Sequence, residues 1–153
     1  MIRYLIDSSA LWQILRDDEV RESWSDVLTA GAIGSCDPQR IEFSRSARNI
    51  NEYEDMRDMF AALYPNVAVP KGAWSWVDSA QYRLLRRGAH RALSAVDLLI
   101  CATAAEHDLV VLHDDSDFAT ASRCRLTCET ARSAIRRRPP VEPVRFVSHR
   151  GIS

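Results

Sequence analysis

An α/β fold of three layers, α/β/α, with a mostly parallel central sheet, is what this 153-residue sequence predicts. Three observations carry the prediction. The segments that read as strands, residues 3–6 and Leu109–Leu112, are continuous apolar runs. A strand with one solvated face alternates apolar and polar residues; a continuous run belongs to a strand covered on both faces, as in parallel sheets. The stretches between them carry apolar residues at helical spacing, so strands alternate with helices. No internal repeat or linker divides the chain, whose length suits about one domain.

The first strand, Arg3-Tyr4-Leu5-Ile6, ends at Asp7. Ser8 or Ser9 then caps a helix through Ala10, Leu11, Ile14 and Leu15. A second helix fits 19–30, with Val20, Trp24, Val27 and Leu28 on one face and Gly31 closing it. Residues 32–35 form a short strand. Asp37-Pro38 reads as a helix start, Asp as N-cap and Pro at the first helical position, and that helix carries Ile41, Glu42, Phe43 and Ala47. The next covers 51–64, with Tyr53, Met56, Met59, Phe60 and Leu63 as its stripe. Residues 66–69 read as an extended connector ending at Pro70. Residues 73–87 are helical, apolar at Trp74, Val77, Ala80, Leu84 and Leu85, and stopped by Gly88. Residues 94–107, SAVDLLICATAAEH, are apolar on nearly every face and predict a buried helix with Asp97 in its first turn. Strand Leu109–Leu112 follows, then a short helix over 118–122. The body spans 1–131. Residues 132–153 form a basic Pro/Arg-rich extension, read as a solvated tail with one strand around Val144–Val147, partly disordered, or as an RNA-contacting arm.

Composition excludes several function classes. The formal net charge is −1, so bulk charge does not select nucleic acid. Lys71 is the one lysine among 20 basic residues; the arginines suit bidentate phosphate contacts, although a GC-rich genome gives the same bias. The four cysteines form no disulfide framework, and Cys124-x3-Cys128 lacks a second ligand pair for zinc. No signal peptide or membrane span is present, which places the protein in the cytoplasm. There is no Gly-x-Ser-x-Gly elbow, no Gly-rich phosphate loop, and no shared ligand spacing among His90, His107, His113 and His149.

What remains is acidic. Ligands of an open parallel sheet bind outside the carboxyl ends of its strands. Asp7 ends the first strand, and VVLHDDSDF (110–118) delivers Asp114, Asp115 and Asp117 from the last recognisable one. Asp97 opens the helix leading into that strand, and Glu42 lies a turn into the helix after the second strand. All converge on one rim. Singly, each has a structural reading: Asp7 as a helix cap, Glu42 as a dipole partner, the Asp cluster as a solvated turn. Jointly, a carboxylate pocket without thiol or imidazole suits Mg²⁺ or Mn²⁺, and such a site does phosphoester hydrolysis. Asp115 is the expected site residue of its cluster, Asp117 a support or helix cap, and Asp114 a solvated spare.

Leu5-Ile6-Asp7-Ser8-Ser9-Ala10-Leu11, the Pro38–Ala47 helix with Glu42, residues 94–104 around Asp97, and Leu112-His113-Asp114-Asp115-Ser116-Asp117-Phe118 together resemble, in order, the four motifs of PIN-domain ribonucleases. At this length the chain is similar to VapC-type toxins of toxin–antitoxin systems. The resemblance implies Mg²⁺- or Mn²⁺-dependent RNA cleavage, a homodimer and a cognate antitoxin. It implies Asp7, Glu42, Asp97 and Asp115 as catalytic residues, with Asp7, Asp97 and Asp115 holding metal and Ser9 and Asp117 supporting them. Its rivals are a module of this fold that binds RNA or protein without catalysis, and a metal-dependent phosphohydrolase on another substrate. Trp12, Trp24 and the 56–60 stretch read either as core or as apolar surface for a partner.

Overall fold

The computed structural model describes residues 1–123 and the strand residues 129–130. Among these, β1 (Tyr4–Ile6), β2 (Ile33–Gly34), β3 (Val110–Leu112) and β4 (Glu129–Thr130) form one sheet in the order β2-β1-β3-β4. Every pairing is parallel, with Tyr4 opposite both Ile33 and Val110, and Ile6 opposite Leu112. The helices are α1 (Ser8–Arg16), α2 (Asp18–Thr29), α3 (Asp37–Ser44), α4 (Ile50–Leu63), α5 (Ala73–Leu85), α6 (Ala95–Glu106) and α7 (Ser116–Arg123).

Period-two geometry sends alternate strand residues into different cores. Tyr4, Ile6 and Leu112 face Ala10, Leu11 and Ile14 of α1, Trp24 of α2, Phe43 and Phe60. Leu5 and Val111 face Val77, Ala80 and Leu84 of α5 and most of α6. The expected three layers follow. An aromatic chain extends the first core: Trp12 on Phe43 at 4.6 Å, Phe43 on Phe60 at 5.7 Å, Phe60 on Tyr64 at 5.9 Å. Trp24 is fully buried and meets Tyr4 edge-on at 5.4 Å. Each such aromatic buries 150–250 Å² in general and dominates core energetics. Trp24 and Phe60 therefore belong to the core, not to a partner surface.

The strand order reverses at β1, because β2 and β3 leave on opposite sides of it. That switch point opens a crevice beyond the carboxyl end of β1. α3 packs against both α1 and α6, so helices from both layers reach the crevice.

Several expectations need correction. Of the caps read for α1, Asp7 takes the position and Ser8 and Ser9 do not: its side chain accepts from the Ser9 N–H. Three cap-competent residues stand in a row, and the strand's end decides which of them has extended backbone. Cys36 occupies the cap position of α3 without a side-chain bond, and Asp37 falls within its first turn beside Pro38. On α4, Tyr53 is 42% and Leu63 47% exposed; on α5, Trp74 is 66% and Leu85 56% exposed. Those apolar stripes are wider than the grooves that receive them. Strand β4 was not foreseen; two residues carry too little pattern to read. The strand expected around Val144–Val147 and the Cys124–Cys128 pair lie outside the described residues. No helix among the described residues is long and apolar enough to cross a membrane.

Candidate functional site

Asp7 continues the β1 ladder by donating its N–H to the Leu112 carbonyl at 2.9 Å, then turns into α1. Its carboxylate Oδ2 accepts from the Ser9 amide at 2.9 Å and from the Ser9 hydroxyl at 2.6 Å. The residue is 5% exposed. Burial pushes its carboxyl above the usual range; the Ser9 and Ser8 hydrogen bonds pull it back, and Asp115 pushes it up further.

Glu42 is half-buried on α3 and accepts from the Ser8 hydroxyl at 3.3 Å. The Gln39 amide donates to the same hydroxyl at 3.4 Å. Burial raises the Glu42 carboxyl, and the charges of Asp7 and Asp97 add to the rise. Asp97 forms a capping box with Ser94 on α6: its Oδ2 accepts the Ser94 N–H at 2.7 Å, and the Asp97 N–H donates to the Ser94 hydroxyl at 3.1 Å. Its carboxyl is also raised, by burial first, and by Asp7 and Asp115 against the lowering bonds from Ser94.

The loop after β3 sorts its three carboxylates. The Asp114 N–H donates to the Ser9 hydroxyl at 2.9 Å, and its carboxylate accepts from the Gln13 amide at 2.8 Å. Asp114 is thus a half-buried clamp onto α1, not a solvated spare. Asp115 is exposed and accepts the Asp117 N–H at 2.9 Å. The cap role at α7 falls to Asp115 rather than Asp117. Asp117 is exposed, and its described contact is that backbone donation. His113 is fully buried with its ring 4.9 Å from that of Phe118, a packing position and not a rim base.

The structure therefore brings Asp7 and Asp97 within reach of the charge of Asp115, and Glu42 within reach of the charges of Asp7 and Asp97. Ser8 bonds Glu42, Gln39 bonds Ser8, and Gln13 bonds Asp114 beside them; none of the three is read as a site residue from sequence. The signal for two of them was helical spacing: Gln13 lies four residues after Ser9, and Gln39 three before Glu42. Thiol chemistry does not compete here, because burial pushes the Cys36 thiol up to about 11.

Two observations test the site for a cation. The donors are all carboxylate and hydroxyl oxygens, the set a hard divalent ion prefers. After burial, neighbouring carboxylates add to each rise, Asp115 at Asp7, Asp7 and Asp97 at Glu42, and Asp7 and Asp115 at Asp97, and a divalent charge would relieve this. Among the described residues no three His, Cys, Asp or Glu side chains already stand at ligand spacing around one point. The fit to such an ion rests on the chemistry of these oxygen donors.

Residues 4–123 match the family model of the PIN domain, and the chain belongs to that family. Among its relatives is Ribonuclease VapC6 of Mycobacterium tuberculosis strain H37Rv, 62% identical over 92 residues, covering 60% of this chain and 72% of that protein. Ribonuclease VapC21 of the same strain is 29% identical over 116 residues, covering 76% and 83%. Among solved structures, VapBC2 from Rickettsia felis bound to a promoter DNA fragment matches with a TM-score of 0.68 at 12% identity, over 86% of this chain and 98% of that one. The PIN-like three-layer fold and the VapC-type kinship expected from sequence are both borne out. Divalent-metal dependence is general among PIN-domain ribonucleases of this type.

Proposed function

We propose that this chain is a Mg²⁺- or Mn²⁺-dependent endoribonuclease that hydrolyses RNA phosphodiester bonds as the toxin of a toxin–antitoxin pair. The observation that carries the reading is the convergence of Asp7, Glu42, Asp97 and Asp115 from four separate elements on one sheet edge, with the first three carboxyls raised partly by charges within this set. The kinship with VapC ribonucleases supports it. The cation, when bound, supplies Lewis acidity: it offsets phosphate charge and lowers the pKa of an attacking water.

The chain's own residues divide the remaining work. Asp7, Asp97 and Asp115 would hold the cation. Ser9 fixes Asp7 by its 2.6 Å bond and ties it to the Asp114 backbone. Gln13 holds the Asp114 carboxylate on α1, so that Asp115 rather than Asp114 is left at the rim. Glu42, held by Ser8, orients the attacking water and accepts its proton; a carboxyl raised by burial is a better base for this than an ordinary one. The likeness to VapBC complexes supports a cognate antitoxin as partner, and the proposal includes a homodimer acting in the cytoplasm.

The test is RNA cleavage with Mn²⁺, with EDTA, and with Asp97→Asn. Activity should vanish under chelation and fall at least a hundredfold in the variant. Cleavage that survives both would remove the mechanism.

A further inference from the structure

From Ser79 to Val96 the chain carries no Asp or Glu, and it carries Arg83, Arg86, Arg87, His90 and Arg91. In a chain with 20 basic and 21 acidic residues, that local imbalance stands out, and it ends at Asp97. The segment is the last half of α5, the connection after it, and the N-cap of α6. Gly88, at φ +66°, turns the chain, and the Ala89 N–H closes back on the Leu84 carbonyl at 2.9 Å. α5 and α6 pack against each other, so the basic turn sits beside the end of α6 that bears Asp97. Asp97 lies seven positions after His90, a span of no more than about 25 Å at ~3.5 Å per residue, and shorter because the last part is helical.

An open groove of about 600 Å³ lies on this segment, lined by Asp78, Ser79, Gln81, Tyr82, Arg83, Leu85 and His90, with exposed Arg86 and Arg91 next to this lining in the chain. Tyr82 is 63% exposed, and the Arg86 guanidinium lies 6.0 Å from its ring centroid. An exposed aromatic face flanked by arginines is the pairing that holds single-stranded nucleic acid: a base stacks on the ring while cations follow the phosphates. The groove's volume falls in the range of small-ligand sites, which accommodates one base with its sugar. Among the described residues Asp78 is the one acidic group on its wall, placed a turn before Tyr82 on α5.

We propose that this groove is a subsite for single-stranded RNA, a few nucleotides from the scissile phosphate. One base stacks on Tyr82, and Arg86 and Arg91 contact the phosphates that lead toward Asp97. The inference rests on the ribonuclease reading and gives it a substrate path. The contacts are to backbone and base face, so the subsite adds affinity with little sequence preference.

The experiment measures binding of fluorescein-labelled oligouridine to the full chain in EDTA, where cleavage is off, across a salt series. The double variant Arg86→Ala/Arg91→Ala should weaken binding at least tenfold. It should also lower the slope of log affinity against log salt by about 1.4, since each phosphate that an arginine neutralises on a single strand adds ~0.7 to that slope. Tyr82→Ala should weaken binding by about tenfold, and Tyr82→Phe should restore it, because the ring and not the hydroxyl does the stacking. All three positions are exposed, so the fold tolerates the changes. The pair Arg21→Ala/Arg57→Ala makes the same charge change on α2 and α4. If it weakens binding equally, the effect is bulk charge and the inference fails. It fails also if the groove variants bind like wild type, including the case in which they instead dissociate a dimer and show the face to be a protein interface. Cleavage with Mn²⁺ separates the two readings. A wild type that cleaves, with groove variants of unchanged binding and KM, overturns the subsite alone. A wild type that never cleaves, with groove variants that still bind more weakly, overturns the ribonuclease and leaves an RNA-binding surface.

Discussion

Ser9→Ala removes one hydroxyl and breaks two bonds that join separate parts of the site. The hydroxyl donates to Asp7 at 2.6 Å and accepts from the Asp114 N–H at 2.9 Å. The first bond is to a buried carboxylate, a type that contributes about 1.5–3 kcal/mol. The second leaves a backbone donor unpaired, at a cost of about 1–3 kcal/mol where water is excluded and less at half-buried Asp114. The sum is about 2–4 kcal/mol, a large part of a typical stability of ~5–15 kcal/mol. The N-cap of α1 survives, because Asp7 still accepts the backbone N–H of residue 9. Urea unfolding should show a midpoint about 1–2 M lower with an unchanged slope, and a thermal scan a drop of about 5–15 °C. Ser9→Thr keeps the hydroxyl and should retain most of the stability. A Ser9→Ala variant within ~0.5 kcal/mol of wild type would show that the Asp7–Ser9–Asp114 bridge does not hold the site together.

Three further outcomes are expected. In the Asp114→Asn, Asp115→Asn and Asp117→Asn series, RNA cleavage should fall most for Asp115, and a series led by Asp117 would reassign the rim. Gly34→Ala should destabilise by about 1–3 kcal/mol in urea, since a Cβ there would meet Val67 Cγ2 at 2.6 Å and the Pro65 carbonyl at 3.1 Å. Asp7, Glu42 and Asp97 have folded carboxyls raised above their unfolded values, so the folded chain holds more protons in that window. Stability without metal should therefore fall as pH rises from the ordinary carboxylate range through the raised values, and Mn²⁺ at neutral pH should restore it, read as a concentration-dependent rise in Tm.

Which parts of this were legible follows from where the information lies. Burial on both faces leaves its mark on consecutive residues, so β1, β3 and α6 stand out as apolar runs. The rim was legible for the same reason: Asp7 and Asp97 interrupt those runs, and parallel topology assigns them to one edge. The order within Asp114-Asp115-Ser116-Asp117 was not. It is set by Ser9 and Gln13, which lie 105 and 101 residues from Asp114. Spacing within the cluster carries nothing about those partners. The stripes of α4 and α5 misled for a related reason. Periodicity shows which face of a helix is apolar but not how much of it the neighbouring layer covers, and Trp74 and Leu85 are left outside.

Capping and cation binding look like rival explanations of Asp7, yet the geometry makes one serve the other. A carboxylate that is 5% exposed is pushed toward its neutral form by burial. The amides and hydroxyl of residues 8 and 9 pull the other way, and an acid that caps a helix N-terminus also gains from the dipole. The cap thus keeps a buried carboxyl ionisable enough to meet a cation. Asp7→Asn separates the two roles. Asn caps as well as Asp, so α1 should remain intact. Removing a buried charge that Asp115 repels should leave stability at neutral pH equal to wild type or above it. Asp7→Ala, which loses the cap and strands the Ser9 hydroxyl, should cost about 2–4 kcal/mol. Both should lose Mn²⁺ binding by calorimetry. An Asp7→Asn variant as unstable as Asp7→Ala would mean that the charge itself stabilises the fold, and that the repulsion inferred at this rim is already neutralised without metal.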